Sequence, residues 1–345
     1  MKRSQTTINR TIKTAQLIDA FWDRWIVHGV DKEEINAVRS SLTSAKQWTE
    51  VWARLAEEKR IKAQQLKEDE RKEAEQLLRQ ASLYFNVAQW IFPECDREKL
   101  KWYESCLACT READQLSEIE TKYVTFEVDH HLCYGRVRTP LNPIGCIIIF
   151  NPIDSSKEEL FMYEEDFLRQ GMMTVSFDGP GQGETFIRQE FQGTLHRLKA
   201  FADQLIDYTR SITELPIYLF GTSSGANWAV YGGSHPEVNK VVAVSPTDRR
   251  NNIFVPDYFN GRLAFFLAEF ELVPDYRLSF RTPVLIYHGK KDAMVSSSFI
   301  YSLFNTLPTG KRLIEFEDEG HCCNFRLKQI RNESVSWFTE NDNAS

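Results

Sequence analysis

Ser223 sits at the centre of Gly221-Thr-Ser-Ser-Gly225, directly after the run Pro216–Phe220 and before the helix-forming Ala226–Tyr231. A strand, a glycine-flanked turn and a helix form the setting in which a serine is held clear of a sheet on a strained turn. The same pattern also occurs as a plain small-residue turn, so chemistry requires partners. A serine hydroxyl is a poor nucleophile until a base takes its proton and a third group orients that base. The chain offers both further on, in the order Ser, Asp, His. The run Val284–Tyr287 leads into His288-Gly-Lys-Lys-Asp292, and Leu313–Phe316 leads into Glu317-Asp-Glu-Gly-His321. Asp292 and His321 thus fall in loops after predicted strands, as Ser223 does. Asp318 and Glu319 compete for the acid role, but their closeness to His321 in sequence makes them loop-coating residues. His288 reads as a packed strand-end histidine. In this constellation Ser223 attacks an acyl carbon, His321 removes its proton and Asp292 orients the imidazole. The N–H of Ser224 faces the developing oxyanion.

The elements that must position these residues divide the chain in two. Of the 16 glycines only Gly29 precedes Gly135, and of the 12 prolines only Pro93 does. From about Lys13 to Leu116 the pattern is helical. Asp31 and Thr43/Ser44 offer helix starts. The interleaved charges of residues 51–80, such as Glu68 and Lys72 or Glu75 and Arg79, predict one long, partly exposed helix. Beyond that, short β-rich runs appear at Tyr123–Val128, Leu132–Arg138, Gly145–Phe150, Met172–Phe177, Ile217–Phe220, Val241–Ser245, Val284–Tyr287 and Leu313–Phe316. The later runs are continuously apolar, as parallel strands buried on both faces are. Helical stretches at 157–170, 194–214, 224–234, 261–271 and 296–306 separate most of them, which predicts a mostly parallel sheet flanked by helices. The first two runs are closely spaced and more polar, which predicts an antiparallel hairpin at one edge.

Asp178-Gly-Pro-Gly-Gln-Gly-Glu184 follows the fourth core strand and Asp154-Ser-Ser-Lys-Glu-Glu159 the third. With the order Ser223, Asp292, His321, these motifs resemble the α/β-hydrolase superfamily. The narrower likeness is to the branch holding dihydroxypseudooxynicotine hydrolase and the polyketide-shortening hydrolases of pigment pathways. The likeness covers about residues 120–340, and the helical region before them matches in kind. It implies an α/β-hydrolase fold with an N-terminal helical cap: residues 1–120 as a cap and dimerisation domain, 121–345 as the catalytic domain. It also implies a homodimer. In that branch the loop after the third strand reads Gly-Gly, an apolar residue, then an acid. Here it reads Asn151-Pro-Ile-Asp154. Pro152 has no N–H, so the second oxyanion donor is expected from Ile153. The family's matching carboxylate assists cleavage of a carbon–carbon bond beside a ketone, which gives Asp154 a catalytic reading. Its other reading is a helix cap before Ser155–Leu168.

Other signals are weaker. Residues 178–184 lack the lysine and spacing of a phosphate loop and read as a tight turn fixed by Asp178. Cys106-Leu-Ala-Cys109, Cys322-Cys323 and His130-His131 have no matching ligand set, so no metal or other cofactor is expected. Six of the eight tryptophans lie in the glycine-poor half. They read as core or interface anchors, with a few available to wall a pocket. Phe254, Tyr258, Phe259, Phe265 and Phe266, between Ser245 and Pro283, could close its other side.

Composition limits the partners. The 345 residues carry 42 Lys+Arg against 49 Asp+Glu, a net charge of −7, which argues against a nucleic-acid or acidic-membrane binder. The longest apolar run, Cys146–Phe150, is far short of a membrane span of about 20 residues. Met1 to Ile18 lacks the apolar core of a signal peptide. Seven scattered cysteines suit a reducing cytoplasm. The expectation is a serine hydrolase working through an acyl-enzyme and cleaving a carbon–carbon bond next to a ketone in a small apolar, aromatic or polyketide-like substrate. A carboxylesterase or thioesterase uses the same triad. A non-catalytic binding protein on this scaffold is the third class.

Overall fold

The computed structural model describes residues 2–269, 271, 273–276 and 282–340. The chain opens with helices α1 (Lys2–Leu17), α2 (Asp23–Val27), α3 (Lys32–Val38), α4 (Ala45–Leu66), α5 (Arg71–Trp90) and α6 (Arg97–Leu116). Asp31 caps α3 by accepting the N–H groups of Glu33 and Glu34 at 2.7 and 3.0 Å. Ser44 caps α4 through the N–H of Gln47 at 3.2 Å. These are the two starts the sequence suggests. Helix formation begins earlier than Lys13, and the expected long helix across 51–80 is two helices folded back on each other. Exposed i,i+4 ion pairs add only a few tenths of a kcal/mol each. Burying Leu78, Ala81 and Leu83 of α5 outweighs them. The connection is pinned by Arg71, which donates to the carbonyls of Leu116 and Gln115 at 2.6 and 3.0 Å.

Each of the eight predicted runs forms a strand: β1 (Glu120–Val128), β2 (His131–Thr139), β3 (Gly145–Phe150), β4 (Met172–Asp178), β5 (Ile217–Thr222), β6 (Val238–Val244), β7 (Val284–Gly289) and β8 (Arg312–Phe316). They make one sheet in the order β1-β2-β4-β3-β5-β6-β7-β8. β1 and β2 are the expected edge hairpin. Their two-residue turn, Asp129 and His130, takes φ of 48° and 60°, the backbone that matches strand twist. β2 is antiparallel to β4, and the remaining pairs are parallel. Helices α7 (Phe161–Leu168), α8 (Gly183–Gln189), α9 (Leu195–Ile212), α10 (Ser224–Gly232), α11 (Asp257–Phe266), α12 (Ser297–Thr306) and α13 (Leu327–Thr339) complete the fold. Successive strand residues feed opposite cores. Ile147 and Ile149 pack with α7 and α13, while Cys146, Ile148 and Phe150 pack with α9, α10 and α12. Helix α11 starts four residues before the predicted 261, immediately after Pro256, which favours a helix start.

The N-terminal helices share a third core with α7, α8, α11 and the loop after β3. Trp22, Trp25, Trp48, Trp52 and Trp90 are all at most 4% exposed. Trp22 stacks on Trp48 with centroids 5.6 Å apart, and Trp25 meets Trp90 edge-on at 5.4 Å. The same cluster takes in Ile153, Phe186, Leu263 and Phe266. These tryptophans are therefore intrachain core and offer no surface to a second copy. Helix α1 also crosses α11 closely, since a Cβ at Gly261 would lie 2.7 Å from Thr7 Oγ1. No helix among the described residues is long and apolar enough to cross a membrane.

Trp48 is fully buried, and its Nε1 donates to the carbonyl of Val87 at 2.8 Å. Trp48→Ala should cost about 3–5 kcal/mol of stability, read as a lowered denaturation midpoint. An unchanged midpoint would show that this core does not hold the fold together.

Candidate active site

Ser223 joins β5 to α10 at φ 54°, ψ −126°, a strained conformation for a residue with a side chain. Its N–H donates to the Val244 carbonyl at 2.9 Å. Close approach explains both flanking glycines. A Cβ at Gly221 would lie 2.2 Å from the Gly225 carbonyl oxygen, and one at Gly225 would lie 2.2 Å from that of Phe150. Only bare backbone lets the turn sit this tightly against β3.

The structure brings Asp292 and His321 to this serine. His321 Nε2 lies 2.8 Å from Ser223 Oγ, and its Nδ1 lies 2.7 Å from Asp292 Oδ2. The other carboxylate oxygen of Asp292 accepts the N–H groups of Met294 and Val295 at 2.8 and 3.0 Å, which fixes its plane. Burial pushes the Asp292 carboxyl up, but the His321 contact and these amides hold it below its ordinary value. Burial opposes charge on His321, yet Cys322 and the Asp292 carboxylate together raise it well above its ordinary 6.5. A base linked to a serine at one nitrogen and a carboxylate at the other is equipped to take the serine proton and bear the resulting charge. His288 is buried with Nε2 2.8 Å from Ser297 Oγ, the packed role expected of it. Asp318 is exposed and pairs with Arg326 at 3.1 Å. Glu319 departs from the expected loop coating: it is buried and accepts the Phe325 N–H at 3.3 Å.

A small, mostly apolar cavity of about 30 Å³ opens at Ser223, room enough for a water molecule or two as it stands. Ile153, Ser224 and Met294 line it near the serine, and Val255, Phe259 and Leu263 form an apolar wall on and beside α11. Its lining includes no residue from 2–120. The helical region therefore does not line this cavity, and its tryptophans take the core role rather than that of a pocket wall. Its aromatic bulk lies in the core beneath α11. Among the described residues no group of three or more His, Cys, Asp or Glu side chains is placed to hold a metal ion.

The loop after β3 differs most from expectation. Asp154 caps no helix: it has φ 67°, and α7 begins only at Phe161. Its carboxylate is gripped by Arg262 through Nε and Nη2 at 2.9 and 3.0 Å and by Trp90 Nε1 at 3.0 Å. Asp154 does not line the cavity at Ser223, and both its oxygens already accept hydrogen bonds. The Ile153 N–H, expected to face the oxyanion, instead donates to Ser224 Oγ at 2.8 Å. Ser224 N–H, at the first position of α10, has no partner within its helix and stays available. Asp178 fixes its turn as expected, accepting from Asn151 Nδ2, the N–H of Lys157 and the N–H of Glu184 at 3.1, 2.8 and 2.8 Å. The sequence reading missed Arg262, Arg24 and Trp90 as supports of this loop. The available signal was the run of three acids, Asp154, Glu158 and Glu159, which needs cations wherever it is buried.

Two outcomes follow from this geometry. The proton acceptor must be neutral imidazole, so kcat/KM should fall on acidification with a midpoint above 6.5. A midpoint at or below that value would contradict the Asp292–His321 coupling. Arg262→Ala leaves a buried carboxylate without its bidentate partner and should cost about 3–5 kcal/mol in denaturant unfolding. An unaltered unfolding curve would show that Asp154 is not held for structure.

No family model matches the chain. Over 92% of its length it is 23% identical to the 2,6-dihydropseudooxynicotine hydrolase of Paenarthrobacter nicotinovorans, covering 90% of that protein. The crystal structure of 2,6-dihydroxy-pseudo-oxynicotine hydrolase superposes with a TM-score of 0.75 at 24% identity, covering 92% of this chain and 94% of that one. The structure of wild-type AbyA5 superposes at 0.70 with 15% identity, over 93% and 95%. The strand order, the strained serine turn and a likeness that includes the helical region make this an α/β-hydrolase fold whose homologues are α/β hydrolases.

Proposed function

We propose that the chain is a serine hydrolase that works through an acyl-enzyme at Ser223. It cleaves a carbon–carbon bond next to a ketone in a small aromatic or polyketide-like substrate. The observation that carries the acyl-enzyme reading is the unbroken contact from Ser223 Oγ through His321 to Asp292 beside an apolar cavity. Ser223 Oγ bonds to the carbonyl carbon while its proton passes to His321 Nε2 and the carbonyl π pair moves onto oxygen. Collapse re-forms the C=O bond and breaks the bond to the leaving group. That group departs with the electron pair, as an enolate in the carbon–carbon case, and takes the proton from His321. Water then gives a proton to His321 and its hydroxyl oxygen to the acyl carbon; the bond to Ser223 Oγ breaks, Oγ takes that proton back from His321, and a carboxylic acid is released.

The choice of scissile bond is supported by likeness along nearly the whole chain to a hydrolase of 2,6-dihydropseudooxynicotine. Because the Asp154 carboxylate is engaged by Arg262 and Trp90, the enolate proton is assigned to His321. That same engagement favours the second reading, an esterase or thioesterase, which needs no extra acid beside the triad. A reducing cytoplasmic setting is part of the proposal, supported by seven free cysteines.

Turnover of aryl 1,3-diketones, measured as paired release of ketone and carboxylic acid, should exceed hydrolysis of matched aryl esters and thioesters. Ser223→Ala should remove every activity by at least about 10³-fold. Fast ester cleavage with no diketone cleavage would establish the second reading. Full activity in Ser223→Ala would overturn both.

A further inference from the structure

The oxyanion site of this chain is short of donors by its sequence and rebuilt by its geometry. Pro152 contributes no N–H, and the Ile153 N–H already donates to Ser224 Oγ at 2.8 Å. Ser224 N–H, at the head of α10, remains. The Ser224 side chain itself has been given no task. It is 4% exposed, lines the cavity beside Ser223 and Ile153, and accepts from Ile153. A serine hydroxyl has two acceptor lone pairs and one proton to give. No described residue accepts the Ser224 proton. A nearly buried hydroxyl whose lone pair is engaged and whose proton is unclaimed is a donor awaiting an acceptor.

Resting on the acyl-enzyme reading, we propose that the Ser224 hydroxyl is a catalytic residue and the second oxyanion donor, alongside its own backbone N–H. When Ser223 attacks, negative charge develops on the substrate oxygen, and the Ser224 O–H donates to it. The Ile153 amide stands behind this hydroxyl. By donating into Oγ it polarises the O–H bond and makes the hydroxyl a stronger donor, as happens along chains of hydrogen bonds in low-dielectric surroundings. No bond to Ser224 forms or breaks, and its proton stays on Oγ throughout. A hydroxyl is required at 224, because the side chain must accept from the amide and donate to the substrate at once.

The test compares wild type with Ser224→Ala, Ser224→Cys and Ser224→Thr on an aryl ester and with a trifluoromethyl ketone. That inhibitor forms a tetrahedral adduct on the nucleophilic serine with its oxygen in the oxyanion site. Ser224→Ala should lower kcat on the order of 10²-fold, leave KM nearly unchanged, lower the melting midpoint only modestly through the orphaned Ile153 amide, and weaken the ketone in proportion to kcat. Ser224→Thr, which keeps the hydroxyl, should restore most of the loss. Ser224→Cys, a weaker donor, should fall between. Ser224→Ala acting at or above the wild-type rate would overturn the proposal, showing that the freed Ile153 N–H is the true donor and the hydroxyl its competitor. Lost turnover with undiminished ketone affinity would overturn it too. Should the alanine variant not fold, the Thr and Cys variants decide by the same ratio. A wild type that neither cleaves the ester nor binds the ketone removes the acyl-enzyme reading, and the donor assignment with it.

Discussion

Asp154, Lys157, Glu158 and Glu159 are nearly withdrawn from water within six consecutive residues, and much of the molecule is arranged to keep each of them partnered. Arg262 and Trp90 hold Asp154. Lys157 Nζ reaches Asp178 and Glu184 at 3.0 and 2.8 Å. Tyr103 donates to Glu158 at 2.6 Å. Arg24 grips Glu159 at 2.6 and 2.7 Å, with His28 at 2.8 Å. Burial alone would raise the Glu159 carboxyl, yet Arg24 and His28 bring it down to about 2. A buried charge that loses its partner is far costlier than an exposed one. The partners come from α2 and the residue that ends it, α5, α6, α8, α11 and the last residue of β4, so this one loop ties elements distant in sequence to a single geometry.

That constraint reaches the reacting atoms through a short path. The loop begins at Asn151, where the backbone of Phe150 and Asn151 leaves no room for a side chain at Gly225, and it continues into Ile153, whose amide holds Ser224. The helical region therefore acts on the site from behind. Thr7 sits against Gly261, and Trp90 lies under Arg262 with its ring centroid 3.7 Å from the guanidinium carbon. Both contacts set the place of α11, which supplies the apolar wall. The helices thus touch this cavity only through the place they give α11.

The inner strands were readable because parallel strands buried on both faces need mostly apolar runs, and the edge hairpin because its two more polar runs are closely spaced. The serine turn was readable because its two glycines are forced by contacts under 3 Å. The loop placement of Asp292 and His321 followed from strands that end just before them. What escaped the sequence depended on distant partners. Asp154 looked like a cap because Asp is a strong cap, and nothing local announces Arg262 more than a hundred residues away. The Ile153 amide was assigned by elimination of Pro152, but its direction depends on a side chain across the turn at 224. The break between Leu66 and Arg71 carries neither glycine nor proline, and it is set by the packing of α5 and the reach of Arg71 to α6. Tryptophan content marked a core correctly without saying which side of it faces substrate.

A covalent acyl-enzyme on Ser223 is tested most directly by mass spectrometry of protein quenched during turnover of a cleaved substrate. The expected result is a mass gain equal to the acyl fragment on the peptide carrying Ser223, decaying at the rate of turnover and absent from Ser223→Ala. Sustained turnover with no acylated peptide, or with the acyl group on another residue, would contradict it.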